Sequence, residues 1–203
     1  MGPFSRRYFE CPPRFQILHC LRNRVHGGTS LFVDGFAAAE ALRINHPADF
    51  SLLSTMPVTF HYINDARHLH HARPTITLEP AAPPDGGSSG KGPRVTAVSY
   101  SPPFQAPLPR DTPHEFYGAL ARFAAFVEAP ASVYAHQLGE GDAVVFDNRR
   151  ILHGRTAFED RLGANEDEAN GEPNRWLKGS YFEGDTMASH GRVLRSRMAR
   201  GEI

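Results

Sequence analysis

The chain has 203 residues, with 22 Lys and Arg against 22 Asp and Glu, so its formal net charge is zero. This balance argues against a general nucleic-acid-binding protein, which carries a basic excess, and no apolar run reaches the length of a membrane span. The length predicts one domain over residues 1–203 with a sizeable core. Cys11 and Cys20 form no CxxC pair, which is typical of a reducing compartment and favours the cytoplasm, with the mitochondrion as the alternative.

The first part of the chain combines short strands with two helices. Apolar and β-branched runs predict strands at 15–20, 30–33 and 58–63. Helical spacing predicts helices over 36–44 and 47–54. Asp34 is the expected N-cap of the first helix, and Pro47 opens the second.

A histidine-rich tract, RHLHHARP, contains His68, His70 and His71. One interpretation is a metal-binding tract. The alternative is an exposed polar loop before Pro74. We favour the loop, because no Cys or carboxylate stands nearby in the sequence to complete a metal site.

The middle of the chain continues with strands at 75–78 and 94–100. Between them, residues 79–93 are rich in Pro, Gly, Ser and Ala and predict a mobile loop. Thr112-Pro113-His114-Glu115 has the pattern of a capping box at a helix start. An apolar stripe at helical spacing follows and predicts a helix that packs on a sheet: Phe116, Leu120, Phe123 and Val127.

The stretch from Asp142 to Arg155 predicts a strand, a turn at Asp147-Asn148 and a second strand that ends in His153. A histidine at the end of a buried strand can be a metal ligand or a general base. It can equally be a core or rim histidine with one satisfied hydrogen bond, and the spacing alone favours this second interpretation.

The C-terminal part begins with residues 159–174, an acidic segment that predicts a solvated surface loop. Residues 175–182 predict the last strand, and residues 185–200 a terminal helix that is rich in arginine. A solvated helix face is favoured there over a basic tail for an acidic partner. The whole order predicts a mainly β fold with packed helices, of the α+β class.

Several segments together resemble the TauD/TfdA-like superfamily, and most of all its γ-butyrobetaine/trimethyllysine dioxygenase branch: FQILHCLRN, GGTSLFVDGF, VSYSPPFQAPL, GDAVVFDNRRILHGRTAF and RWLKGSYFEGD. The resemblance covers most of the chain and keeps its order. It implies a double-stranded β-helix, or jelly roll, that uses Fe(II), 2-oxoglutarate and O₂ to hydroxylate a small molecule.

The same resemblance assigns roles to four residues. His153 falls on the distal iron histidine. Arg175 falls on the arginine that pairs with the far carboxylate of 2-oxoglutarate, and Ser30 on a hydroxyl position for that carboxylate. Tyr181 falls on a tyrosine of the aromatic cage that holds a trimethylammonium group in the betaine branch, where cation–π attraction stabilises the cation.

The chain also departs from the family pattern. The HxD motif, which supplies the other two iron ligands, would fall at Pro3 and Ser5, and no HxD or HxE occurs in the 203 residues. The N-terminal third that family members carry before this motif is also absent, so the jelly roll is expected to be incomplete on its N-terminal side. Without the HxD ligands, the alternative function is a catalytically inactive fragment or pseudoenzyme. His19 and His26 are the nearest histidines that could replace the missing ligands.

Two further departures concern the substrate and the loops. Ser101-Pro102 replaces an Asn-containing segment that contacts substrate in the carnitine-pathway enzymes, which argues against γ-butyrobetaine itself. The acidic segment 159–174 is the expected insertion between His153 and Arg175. The predicted partner is a small-molecule substrate, and a homodimer stays an open alternative.

Overall fold

The computed structural model describes residues 9–64, 66–80, 92–160 and 173–203. Within these residues the chain forms strands and four α-helices. The strands are β1 (Phe15–Asn23), β2 (Val25–Gly27), β3 (Ser30–Asp34), β4 (Pro57–Asn64), β5 (Arg67–Pro74), β6 (Ile76–Leu78), β7 (Val95–Val98), β8 (Val133–His136), β9 (Ala143–Asp147), β10 (Ile151–Arg155), β11 (Phe158–Asp160) and β12 (Arg175–Phe182). The helices are α1 (Gly35–Asn45), α2 (Pro47–Thr55), α3 (His114–Glu128) and α4 (Gly184–Ala199). In the described part, no helix is both long and apolar enough to cross a membrane.

The chain divides into two compact units. One contains Met1–Pro12, Gly27–Gln137 and Arg149–Ala157, and the other contains Pro13–His26, Leu138–Asn148 and Phe158–Ile203. The mix of strands and packed helices confirms the predicted α+β character. The single domain over residues 1–203 stays a prediction.

The first unit contains the three-stranded antiparallel sheet β10-β3-β8. It also holds the hairpin β4–β5 and the pair β6–β7. Helices α1, α2 and α3 pack together over a core whose largest fully buried side chains include Phe60, Phe116 and Phe123. Burial of one such ring contributes about 1.5–3 kcal/mol of transfer free energy.

The second unit is built on the antiparallel sheet β12-β1-β9, with β1 in the centre. Gln16 and Cys20 of β1 are buried, at 1% and 0% exposure, and Phe146 of β9 lies opposite Gln16. Helix α4 follows β12, and none of its residues is buried.

Of the two predicted helix caps, the one at Asp34 is confirmed and the one at Thr112 is not. Asp34 Oδ1 accepts hydrogen bonds from the amides of Phe36 and Ala37, at 3.0 and 3.2 Å, as the N-cap prediction requires. The capping box at Thr112 is wrong. Helix α3 begins at His114 without a side-chain cap, because the Thr112 hydroxyl donates instead to the Pro109 carbonyl at 2.7 Å.

The structure corrects one predicted loop and adds two short strands, and parts of two other predicted segments lie outside the described residues. Residues 67–74, predicted as a loop, form β5, because each residue pairs with one of β4. The short strands β2 and β11 were not predicted, and β11 takes residues 159 and 160 from the predicted acidic loop. Residues 81–91 of the predicted mobile loop and 161–172 of the predicted insertion lie outside the described residues.

Candidate functional site

Ser30 and His153 lie on the same face of the sheet in the first unit. In the register of β3 and β10, His153 is opposite Phe32 and Ser30 is opposite Arg155. Because alternate residues point to the same side of a strand, Ser30 and His153 are diagonal neighbours, about 7–8 Å apart between their Cα atoms. Both are buried, with exposures of 4% and 7%. The sequence alone could not reveal this pairing.

The approach to Ser30 is fixed by two consecutive glycines. Gly27 and Gly28 have φ angles of 79° and 68°, in the left-handed region that glycine adopts without steric cost. The Gly28 amide donates to the Ala157 carbonyl at 2.9 Å, and the Thr29 amide donates to Thr156 Oγ1 at 3.0 Å. This turn holds the start of β3 against the end of β10.

The approach to His153 is fixed by the turn between β9 and β10. The amides of Gly35 and Val98 donate to the carbonyls of Arg150 and Arg149, at 2.9 and 2.8 Å. The predicted strand–turn–strand is confirmed in its elements. However, β9 pairs with β1 whereas β10 pairs with β3, so the two strands do not form a hairpin.

Basic residues flank Ser30 on this face. Arg155 is opposite Ser30 on β10, and His136 is opposite it on β8. The Arg155 guanidinium donates to the Thr156 carbonyl at 3.0 Å. An arginine and a histidine as the two cross-strand neighbours of Ser30 favour a carboxylate near this position. Sequence reasoning missed both neighbours. Arg155 could have been suspected from its spacing of two residues from His153, but His136 becomes visible only through the strand register.

A small cavity of about 40 Å³ is lined in part by His153. Its other strand residues alternate with Ser30 and His153 along β3 and β10, so the cavity lies against the opposite face of this sheet. Tyr100 is one of the residues that line this cavity. The pKa of its phenol is raised mainly by burial and, to a smaller extent, by the Glu128 carboxylate. A cavity of this size holds a few water molecules at most. Its lining is mainly apolar: Leu31, Val33, Tyr100, Pro102, Val127, Glu128, Leu152 and His153.

A larger open groove of about 660 Å³ shares Tyr100 and Pro102 with this cavity. Ligand pockets of about 300–1,000 Å³ with apolar and aromatic walls are typical of small-molecule sites. The groove runs along α3 and the proline-rich segment before it, and its remaining lining residues are Gln105, Ala106, Pro107, Leu108, Tyr117, Leu120, Ala121 and Ala124.

Arg175 and Tyr181 occupy opposite ends of β12 in the second unit. Arg175 is opposite Asn23 of β1, and its guanidinium carbon lies 5.2 Å from the centroid of the Phe158 ring. Tyr181 is opposite Gln16. Six residues of extended strand separate Arg175 from Tyr181, which corresponds to about 20 Å. The two side chains therefore do not contact one small group together.

Within its own unit, Tyr181 shares one face of the sheet with a second aromatic residue, Phe146. The row across the sheet is Tyr181, Gln16 and Phe146. The two aromatic residues are separated by the central strand, hence by roughly 10 Å. The Gln16 side-chain oxygen is buried and has no hydrogen-bond partner within the described residues. Tyr181 as part of a cation cage stays a prediction.

The iron centre implied by the resemblance needs three protein ligands on one face. Across residues 9–64, 66–80, 92–160 and 173–203, no three His, Cys, Asp or Glu side chains are arranged to hold a metal ion. His153 is thus one donor without the other two, and Pro3 and Ser5 lie outside the described residues. The described residues do not fit a complete iron centre.

Comparison with known proteins places this chain among dioxygenases. Residues 6–181 match the model of the taurine catabolism dioxygenase TauD, TfdA family. The chain is 52% identical over 188 residues to "Dioxygenase str8" of Strobilurus tenacellus, covering 93% of this chain and 42% of that protein. It is 37% identical over 189 residues to a γ-butyrobetaine dioxygenase of Pseudomonas sp. (strain AK-1), covering 91% and 43%. The chain thus spans less than half the length of these curated relatives.

A solved structure supports the fold. The structure titled as a putative alpha-ketoglutarate-dependent taurine dioxygenase from Burkholderia xenovorans matches with a TM-score of 0.62 at 18% identity, over 89% of this chain and 56% of that one. This likeness confirms the jelly-roll fold that the resemblance implied. With a family model that spans most of its length and relatives in the γ-butyrobetaine branch, the chain belongs to the TauD/TfdA family of dioxygenases.

Proposed function

We propose that this chain is the co-substrate-binding and substrate-binding part of an Fe(II)- and 2-oxoglutarate-dependent dioxygenase that hydroxylates a small organic molecule. In this proposal His153 is an iron ligand, and Ser30 and Arg175 each keep the role toward 2-oxoglutarate that the family resemblance assigns to them. Tyr181 contacts the substrate, and a trimethylammonium group is the feature that it would recognise through cation–π attraction.

The burial of Ser30 beside His153 is the observation that carries the proposal. A buried hydroxyl and a buried imidazole lie on adjacent strands of one sheet face. Buried polar groups are retained where they bind something or satisfy each other. Here their strand positions are those that the family resemblance assigns to co-substrate and iron.

The identity of residue 102 bears on the class of substrate. Pro102 lines both the groove and the cavity at His153, and it offers no side-chain hydrogen bond. A substrate carboxylate would find no amide donor from this side chain. We therefore propose a trimethylammonium-bearing or apolar metabolite other than γ-butyrobetaine itself.

Binding of 2-oxoglutarate can be measured separately from catalytic turnover. Trp176 is the single tryptophan of the chain and immediately follows Arg175, so its fluorescence reports on this end of β12. We expect the fluorescence to change as 2-oxoglutarate is added and to reach a plateau when the binding site is saturated. Arg175→Lys keeps the charge but removes the planar fork, so it should weaken binding by roughly tenfold or more. Arg192→Lys on the exposed face of α4 is the matched control and should bind as the wild type does.

Ser30→Ala tests the role proposed for the serine hydroxyl. It removes one hydrogen bond, so a loss of roughly three- to tenfold in 2-oxoglutarate affinity is expected. Equal affinities for wild type, Ser30→Ala and Arg175→Lys would contradict the proposed co-substrate site.

A second candidate function, a catalytically inactive binding protein, is favoured by the missing group of three metal ligands among the described residues. The two candidates differ in Fe(II)-dependent conversion of 2-oxoglutarate to succinate. Turnover that disappears in His153→Ala supports the dioxygenase. Saturable 2-oxoglutarate binding without any turnover supports the binding protein.

A further inference from the structure

Three histidines lie on one face of the hairpin β4–β5. His61 of β4 is directly opposite His70 of β5, and His68 precedes His70 by two residues. Side chains two residues apart on a strand share a face, as do directly opposite residues of an antiparallel pair. The register therefore gathers His61, His68 and His70 on the same side of the hairpin.

This side of the hairpin faces away from the core. Val58 and Phe60 project from the other side and are each 1% exposed. His71 is opposite Phe60 and so belongs to that inner side. His68 and His70 are exposed, and His61 is partly exposed. The imidazoles of His68 and His70 are therefore accessible to solvent, and that of His61 is accessible in part.

The strand positions of the three histidines suit a shared metal ion. The rings of His68 and His70 are 5.6 Å apart between centroids, and the Cβ atoms of directly opposite residues such as His61 and His70 are separated by about 4.5–5.5 Å. Zinc binds imidazole nitrogen at about 2.0–2.1 Å. The rings are not already set around a common metal position, since the described residues contain no preformed group of three ligands. Binding thus requires side-chain rotation, which exposure permits.

The ligand set determines the class of ion. Neutral imidazole suits Zn²⁺, Ni²⁺ and Cu²⁺ rather than Mg²⁺ or Ca²⁺, which prefer oxygen. Three nitrogens leave a fourth tetrahedral position for water. We propose that His61, His68 and His70 bind one divalent transition-metal ion, with Zn²⁺ as the reference case. The sequence had favoured a loop here because no Cys or carboxylate was near, and the third ligand is a histidine on the neighbouring strand.

The test is a Zn²⁺ titration of the full chain after chelator treatment, followed by calorimetry. We expect a binding event that His61→Ala, His68→Ala and His70→Ala each weaken by roughly tenfold or more, because even mutation of residues that only support metal ligands costs about 10–100-fold. His71→Ala removes a histidine of the same hairpin from the opposite face and should leave this event unchanged. His153→Ala should also leave it unchanged, which separates this site from any metal bound at His153.

A stability measurement gives a second readout. A metal that binds only the folded state raises the melting temperature, so Zn²⁺ should raise the Tm of the wild type and of His71→Ala but not that of His61→Ala. The proposal is overturned if His61→Ala binds Zn²⁺ as tightly as the wild type, or if His71→Ala weakens binding as much as His61→Ala does. Far-UV circular dichroism of each variant without metal checks that the hairpin still folds.

Discussion

Arg150 donates hydrogen bonds to the carboxylate of Asp34 from two of its nitrogens, Nε and Nη2. The Nη2 atom lies 2.6 Å from Asp34 Oδ2. Asp34 ends β3 and caps α1, whereas Arg150 lies in the turn that leads into β10. The ion pair therefore links the strand that carries Ser30 to the turn that delivers His153. Asp34 thus serves a helix start and the strand alignment of the candidate site at once.

Replacement of Asp34 should destabilise the fold. Asp34→Ala removes the cap hydrogen bonds and the ion pair, and we expect a loss of about 1–2 kcal/mol in the free energy of unfolding. Asp34→Asn keeps a capping oxygen but loses the charge, so its loss should be smaller. Urea unfolding at neutral pH measures both. An Asp34→Ala protein as stable as the wild type would show that the cap and ion pair make no net contribution.

The same carboxylate makes stability depend on pH. Burial raises the pKa of Asp34, but the hydrogen bonds from Arg150, Ala37 and Phe36 outweigh burial and hold the pKa below its ordinary value. A lowered folded-state pKa gives stability that is present above the ordinary carboxyl range and is lost as the pH falls through the folded value. The stability gap between wild type and Asp34→Asn should therefore close below about pH 4. Asp111→Asn, at an exposed position, is the control and should show no such gap.

Gly35 should not tolerate a side chain. A Cβ at this position would lie 2.9 Å from the Arg150 carbonyl oxygen and 3.2 Å from Val98 Cβ. Both neighbours belong to structured parts of the first unit, so Gly35→Ala should cost about 1–3 kcal/mol through overpacking. Gly191→Ala in α4 is the matched control, because nothing lies within 4 Å of its Cβ. That substitution should be neutral, or should stabilise the helix by up to about 1 kcal/mol.

The apolar stripe of α3 should dominate the stability of the first unit. Phe123 is fully buried and packs edge-on against Tyr100, with ring centroids 5.5 Å apart. Phe123→Ala should therefore cost about 3–5 kcal/mol. Tyr117 lies on the same helix at 49% exposure, and Tyr117→Ala should cost less than about 1 kcal/mol. Chemical denaturation of both variants checks the contrast, and similar losses would contradict the assigned helix orientation.

The two cysteines should differ in reactivity. Cys20 is fully buried, and its thiol donates to the Leu138 carbonyl at 3.6 Å. Burial raises the pKa of the Cys20 thiol, although the Arg175 charge opposes this rise. Cys11 is exposed. A thiol reagent should modify Cys11 in the native protein and reach Cys20 only after unfolding, because the thiolate is the reactive form. In Cys11→Ser the rapid reaction should vanish, and rapid native labelling of this variant would refute the burial of Cys20.

Most local elements were accessible to sequence reasoning. The stripe of Phe116, Phe123 and Val127 predicted α3 because helical periodicity repeats within a few residues, and these three residues are buried. The Asp34 cap was predicted for the same reason, since a cap acts on amides two or three residues away. Thr112 failed because its hydroxyl had a competing local acceptor in Pro109.

The roles of Ser30, His153, Arg175 and Tyr181 came from similarity to a family rather than from spacing. Such similarity transfers positions along the chain, but it does not give distances between side chains. The structure added the position of Ser30 diagonal to His153 and the separation of Arg175 from Tyr181 along β12.

The sequence by itself determined the helices, most strands, the cap at Asp34 and the family, because each depends on short patterns or on ordered motifs. Only the tertiary structure decided that β9 and β10 enter different sheets, that Ser30 lies beside His153, and that His61 meets His70 across a hairpin. Strand pairing is decided by which edges and buried faces meet in the folded chain, and a shift of one residue would move every side chain to the other face. No local pattern in the chain contains that information.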